Sequence, residues 1–133
     1  MGRATRTHVR GWQRVTSAVH ARGGHLFIQL MHAGRMGHPD NTAHGRAPVA
    51  PSAIAPGEKM FTLGGLKDAP VPRPLATEEV PATIADYRHA AARSIEAGAD
   101  GVEIHGANGY LIQQFFSPNA NTRTDSYGGS IEN

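Results

Sequence analysis

The chain has no cysteine among its 133 residues. Disulfides, thiolate metal sites and a cysteine nucleophile are therefore excluded, and the composition suits a reducing compartment, so a cytoplasmic location is expected. Long hydrophobic runs are missing too. No apolar stretch approaches the roughly 20 residues that a membrane-spanning helix needs. The opening residues, Met1-Gly2-Arg3-Ala4-Thr5-Arg6, lack the apolar segment of a secretory signal, and Arg6 stands where a myristoylation motif requires Ser or Thr. An excess of one charge sign is also absent. The net charge is +2, the arginines are scattered, and no basic run is interleaved with aromatics. Neither nucleic acid nor a membrane is an expected partner.

Glycine and proline, by contrast, are plentiful, with 16 Gly and 9 Pro against a hydrophobic fraction of 39%. That balance points to long ordered loops in a chain the size of one domain. From about Arg10 to Arg22, Trp12, Val15, Ala18 and Val19 recur at helical spacing, and Gly23-Gly24 supplies a C-terminal stop. His25-Leu26-Phe27-Ile28-Gln29-Leu30 then reads as a short buried strand. The same order returns later. Ile84, Tyr87, Ala91 and Ile95 share a helical face, Pro81 suits the first turn, and Thr77 with Glu78 and Glu79 offers a cap and negative charge at the start. Gly98 ends that helix, and Gly101-Val102-Glu103-Ile104 reads as the next strand. Helix, glycine, strand and a His-containing loop thus occur twice, the pattern of βα repeats around a parallel sheet. Between the copies, from about Met31 to Ala76, lies a proline-rich loop, in which Phe61-Thr62-Leu63 before Gly64-Gly65 is read as a short hairpin arm. The segment from Phe115 to Asn133 reads as loop with at most a short helix.

Ligands of parallel βα architectures sit at the carboxyl ends of the strands, which singles out Gln29 to Arg35 and His105 to Tyr110. The second stretch places imidazole, carboxamide and phenol within six residues, separated by small residues that let the backbone turn. His105 and Asn108 can donate hydrogen bonds to an oxygen gaining negative charge, and Tyr110 is a weak acid able to deliver a proton. A structural reading stands beside this one: His105 capping the strand, Asn108 holding a turn, and Tyr110 with Leu111 in the core. Spacing alone does not separate the two. Eight histidines also invite a His-rich metal-binding domain, but His32, His38 and His44 recur every six residues, which is neither a helical pair nor a finger spacing.

Longer motifs go further. His105 to Leu111 (HGANGYL), Gln114-Phe115, Asn121-Thr122-Arg123-Thr124-Asp125 and Tyr127-Gly128-Gly129-Ser130-Ile131-Glu132-Asn133 occur in order. Upstream are Gly11-Trp12 with Val15-Thr16, Gln29-Leu30 with His32, Gly34-Arg35, and Ala50-Pro51-Ser52-Ala53-Ile54. Together they resemble the Old Yellow Enzyme family of FMN-dependent ene-reductases, in particular bacterial alkene reductases of the N-ethylmaleimide reductase type. The same motifs occur in dienoyl-CoA reductases and amine dehydrogenases with iron–sulfur clusters, but the Ala50 to Ile54 stretch and the loop pattern favour a reductase with FMN alone. The resemblance implies an α/β fold, a partial TIM (β/α)8 barrel of about two βα units corresponding to strands 3 and 4 with a long intervening loop. The whole chain, residues 1–133, would be a single incomplete FMN-oxidoreductase barrel segment.

The resemblance also implies roles. His105 and Asn108 correspond to the pair that hydrogen-bonds the substrate's carbonyl or nitro oxygen, Tyr110 to the proton donor, and Gln29 to an amide contacting the flavin pyrimidine ring. The substrate would be a small activated alkene, with NAD(P)H as reductant. Met31 stands where many relatives carry Trp, which bears on substrate preference, and Arg123 with Asp125 is expected to pin a loop. A complete barrel of this kind needs roughly 250 residues. An internal segment is therefore expected, with the family's first strands and its phosphate-binding strands outside it. A truncated non-catalytic module, or half of a split barrel needing a partner chain, is the alternative.

Overall fold

The structure, a computed structural model, describes residues 5–130 and 132–133. The reading of the first four residues, and Ile131 of the final motif, lie outside the described residues. In chain order the elements are α1 (Arg6–His20), β1 (Phe27–Leu30), three 3-10 turns (Gly34–Met36, Pro39–Asn41, Ala43–Gly45), β2 (Val49–Ala50), β3 (Lys59–Thr62), β4 (Gly65–Asp68), β5 (Arg73–Pro74), α2 (Glu79–Glu96), β6 (Gly101–Ile104) and α3 (Leu111–Phe116). The chain divides into two compact units. One takes the residues up to Met31 together with Pro81–His105, and the other takes His32–Val80 together with Gly106–Asn133.

The first unit holds the predicted repeat. Strands β1 and β6 pair in parallel, with Phe27 opposite Gly101 and Leu30 opposite Ile104. Each preceding helix ends on glycine in the left-handed region. Gly23 has φ +73, and the Gly23 and Gly24 amides donate to His20 and Val19 carbonyls; Gly98 has φ +85, and the Gly98 and Ala99 amides donate to Ile95 and Ser94. Both are Schellman closures, which satisfy the carbonyls left over at a helix end. Helix α1 starts four residues before the expected Arg10, because Thr5 and His8 form a reciprocal capping box in which the His8 ring replaces the usual Glu or Gln. The two helices are tied together by side chains of α1. Thr16 donates to Ala97 O at 2.7 Å and Gln13 to Glu96 O at 3.2 Å, so α1 caps the carbonyl end of α2. Asp100 ties the turns before the strands. It accepts from Leu26 N at 2.7 Å and meets His20 Nε2 at 2.8 Å and His25 Nδ1 at 3.2 Å. Those partners, His20 foremost, hold its carboxyl well below the usual range.

Two expectations need correction. The strands are not buried on both faces: Phe27 is 65% exposed and Ile104 60%, while Leu30 is buried. A parallel sheet is buried only where helices or further strands cover both faces, and here Ile28 and Leu30 border a cavity shared with Val9, Trp12, Ala90 and Ser94. The apolar face assigned to α2 is covered only in part. Ile84 and Ile95 are exposed, Tyr87 and Ala91 of that face are half-buried, and Ser94 and, just past the helix end, Ala97 are buried.

The second unit is the long loop, and it is not structureless. Strands β2 and β5 form a short parallel pair, Val49 opposite Arg73 and Ala50 opposite Pro74. The predicted hairpin arm is present as β3 and β4, antiparallel with Thr62 opposite Gly65. Its turn is locked by the Thr62 hydroxyl, which accepts from Gly64 N and donates to Gly65 O. The core of this unit is Leu75, Val80 and Leu111, with Val49, Phe115 and Tyr127 packed against it.

Candidate functional site

The first unit ends in two of the predicted positions. Gln29 is exposed on β1, opposite Glu103, and its amide nitrogen donates to Glu103 Oε1 at 3.0 Å. Gln29 thus bridges the two strands through its side chain, on an exposed face. His105 follows β6 directly, is half-buried, and donates its amide to Leu30 O at 3.0 Å, extending the ladder by one residue. The pairing leaves the ring outside the backbone ladder, at the carboxyl end of the strand.

The second unit carries Asn108 and Tyr110. Asn108 (φ +56) and Gly109 (φ +74) are two successive left-handed residues, so the chain reverses sharply before α3. Asn tolerates that region better than most residues because its short amide can bond locally. Asn108 thus does hold a turn, as the structural reading supposed, and its side chain remains exposed. Tyr110 is the N-cap of α3 and half-buried, whereas its neighbour Leu111 is 2% exposed and belongs to the core. Leu111 N donates to His32 O at 2.9 Å, which fixes the start of α3 to the loop after β1.

The last motif is built around Arg123, whose side chain is 9% exposed. Its guanidinium donates to both carboxylate oxygens of Asp125, to Pro51 O, to Leu75 O and to the Thr77 hydroxyl. Thr77 in turn donates to Asp125, so the hydroxyl expected to cap α2 serves this cluster instead. Arg123 and Thr77 hold the Asp125 carboxyl well below its ordinary range. Replacing Arg123 with Met should destabilise the fold by on the order of 2–3 kcal/mol, since two carbonyls lose their donor. A carboxyl held low contributes stability above its unfolded value of about 4, and that contribution fades as pH falls toward the folded value. Thermal unfolding between pH 7 and pH 3 should therefore show an acid-dependent loss of Tm that is smaller in Arg123→Met.

Sequence reasoning assigned no role to several polar residues that matter here. Asn121 donates to Phe115 O and Tyr127 O, both at 2.8 Å, and Ser52 accepts from Thr122 N at 2.9 Å. Gln114 is almost fully buried. Each lies inside a quoted motif, which was the only signal available. The histidines spaced every six residues serve local turns. His32 and His38 each accept a hydrogen bond from an amide two residues on, His44 sits in a left-handed turn, and among the described residues no three His, Asp or Glu converge as a metal set.

These elements define a piece of a parallel α/β protein with a polar loop at the carboxyl end of a strand. Comparison with known proteins supplies the family. Residues 4–133 match the model of the NADH:flavin oxidoreductase / NADH oxidase family. The chain is 48% identical over 129 residues to flavin oxidoreductase hxnT of Emericella nidulans, covering 97% of this chain and 33% of that protein. It is 50% identical over 131 residues to a probable flavin mononucleotide-dependent alkene reductase of Leishmania infantum, covering 95% and 36%. Among solved structures, the old yellow enzyme homologue from Zymomonas mobilis superposes with a TM-score of 0.91 at 45% identity, covering 98% of this chain and 36% of that one. Morphinone reductase in complex with tetrahydroNAD gives 0.89 at 44%, covering 98% and 38%. The chain belongs to this family, the Old Yellow Enzyme family of FMN-dependent flavoproteins. It spans about one third of the length of the curated relatives it matches.

One carboxamide here has the donor and acceptor chemistry that part of a flavin would need. The pyrimidine edge of an isoalloxazine presents carbonyls and an imide N–H, and a carboxamide offers the complementary donor and acceptor. Gln29 is such a group, on an exposed strand face.

Proposed function

We propose that this chain is the substrate-side segment of an FMN-dependent ene-reductase, corresponding to strands 3 and 4 of its barrel, that reduces activated C=C bonds of α,β-unsaturated carbonyl or nitro compounds with NAD(P)H. The observation that carries the reading is the Asn108-Gly109 reversal, which presents an exposed carboxamide two residues before the phenol-bearing Tyr110 at the head of α3. Gln29 would hold the flavin pyrimidine edge, and FMN, when bound and reduced by NAD(P)H, would supply a hydride for the β-carbon.

The chain's own residues do the rest. His105 and Asn108 donate to the substrate's carbonyl or nitro oxygen, drawing electron density from the alkene and stabilising the charge that grows on that oxygen. Tyr110 gives its phenolic proton to the α-carbon, which completes the saturated product, and recovers a proton from solvent. A phenol serves well because it stays protonated at neutral pH yet is acidic enough to transfer a proton to carbon.

The assignment is tested by isotope placement. Turnover of a 2-substituted cyclohexenone by the holoenzyme in D2O with unlabelled NADPH should place deuterium at the α-carbon and protium at the β-carbon. Deuterium at the β-carbon instead would overturn the division of labour between flavin and Tyr110.

Two parallel strands with uncovered faces motivate a second element of the proposal. The segment acts together with the remaining strands of a barrel, whether in one polypeptide or in a partner chain. The 133 residues alone hold the substrate-side groups and too little of the cofactor's bed for tight FMN binding.

A further inference from the structure

Gln114 is 1% exposed, and every hydrogen-bonding atom of its amide end is used. Its Oε1 accepts from Arg35 N at 3.0 Å, and its Nε2 donates to Ala33 O at 3.1 Å and Gly109 O at 2.6 Å. The loop that follows β1 arches over this group. Gly34 takes φ +60, and a Cβ there would stand 2.1 Å from Gln114 Oε1, so only glycine admits the amide. On the other side is the Asn108-Gly109 reversal. A left-handed non-glycine residue persists only where the surroundings hold it. Here Gln113 Oε1 accepts from Gly109 N at 2.5 Å, while Gln114 takes the carbonyl of the same residue. Gln114 N also donates to Tyr110 O at 2.9 Å, closing the first turn of α3 on Tyr110. One residue therefore grips the peptides on both sides of Tyr110 Cα and the loop of Ala33 to Arg35.

We propose that Gln114 is a positioning residue for Tyr110, setting the backbone from which the phenol reaches the substrate and coupling it to the loop after β1. The inference rests on the reading of Tyr110 as proton donor. A buried amide spends both N–H groups on carbonyls and its oxygen on an amide, a pattern that neither Glu nor Leu reproduces. Gln114→Glu keeps the volume and the acceptor for Arg35 N, but turns a carboxylate toward the Ala33 and Gly109 carbonyls. Gln114→Leu removes all three bonds.

The test uses the flavin-loaded holoenzyme with the variants Gln114→Glu, Gln114→Leu, Tyr110→Phe and the double variant Gln114→Leu/Tyr110→Phe. Rates of flavin reduction by NADPH and of alkene reduction by the reduced flavin are measured separately, alongside hydrogen–deuterium exchange of the peptides containing Arg35 and Tyr110. The alkene step should slow by roughly 10- to 100-fold in either Gln114 variant, as expected for a misplaced reacting group, with flavin reduction little changed. In the double variant the Gln114 substitution should add no more than about a twofold effect to Tyr110→Phe, because the two act as one unit. Exchange at Tyr110 should rise in both Gln114 variants, and exchange at Arg35 should rise only in Gln114→Leu. Equal slowing of both half-reactions, multiplicative rates in the double variant, or unchanged exchange at Tyr110 would overturn the inference. A silent Tyr110→Phe would instead overturn the proton-donor reading on which it rests. Gln114→Glu, the near-isosteric variant, keeps the test decisive if Gln114→Leu fails to fold.

Discussion

Tyr110→Phe in the holoenzyme is expected to slow alkene reduction by roughly 100- to 10,000-fold while leaving flavin reduction by NADPH nearly unchanged, the usual scale for loss of a positioned proton donor. The asymmetry follows from the chemistry. Reduction of the flavin needs only hydride transfer from the nicotinamide, whereas the alkene must gain a proton on carbon as it gains the hydride. The substitution removes one oxygen from a half-buried side chain at the head of α3 and leaves the Tyr110 backbone bonds to Ala107 and Gln114 in place. Stopped-flow measurement of the two half-reactions separates them. Equal slowing of both would take Tyr110 out of the proton-transfer role.

Asn108 allows an equally direct experiment, because its side chain and its backbone make different demands. The side chain is assigned to the substrate oxygen, and the backbone sits at φ +56. Asn108→Gly keeps the left-handed turn and removes the donor. It should lower kcat/KM by on the order of 100-fold, about 3 kcal/mol of barrier, without lowering Tm by more than a degree or two. Asn108→Ala should show the same catalytic loss plus a fall in stability of about 1 kcal/mol, because Ala tolerates that left-handed φ less well than Asn. If Asn108→Gly retained full activity, the residue would be a turn former only.

Much of this arrangement is legible in the sequence because glycine marks backbone that other residues avoid. Gly23-Gly24 and Gly98 ended the two helices as read, and the helix–glycine–strand repeat predicted the parallel pair of β1 and β6. The start of α1 was misplaced because His8 performs a capping task that the residue pattern associates with Glu or Gln. The face of α2 was legible only in part: periodicity placed the half-buried Tyr87 and Ala91 on it, but also Ile84 and Ile95, which are exposed, while the small Ser94 is buried. The loop between the strands read as irregular because its order comes from polar side chains reaching across long sequence distances. Arg123 binds carbonyls of Pro51 and Leu75, and Gln114 binds Ala33 and Arg35. Single-sequence patterns carry no signal for such pairings. The chemistry-bearing residues were named from their grouping and from the motifs around them; the geometry adds that Asn108 and Tyr110 stand on a reversal held from beneath by a buried amide.

The division between substrate-side residues and cofactor bed is tested most directly by titrating the purified 133-residue chain with FMN and assaying NADPH-dependent reduction of a maleimide. Weak FMN binding, with no turnover above that of free FMN, is the predicted result. Tight binding accompanied by turnover would contradict it, and would mean that this segment alone builds a working flavin site.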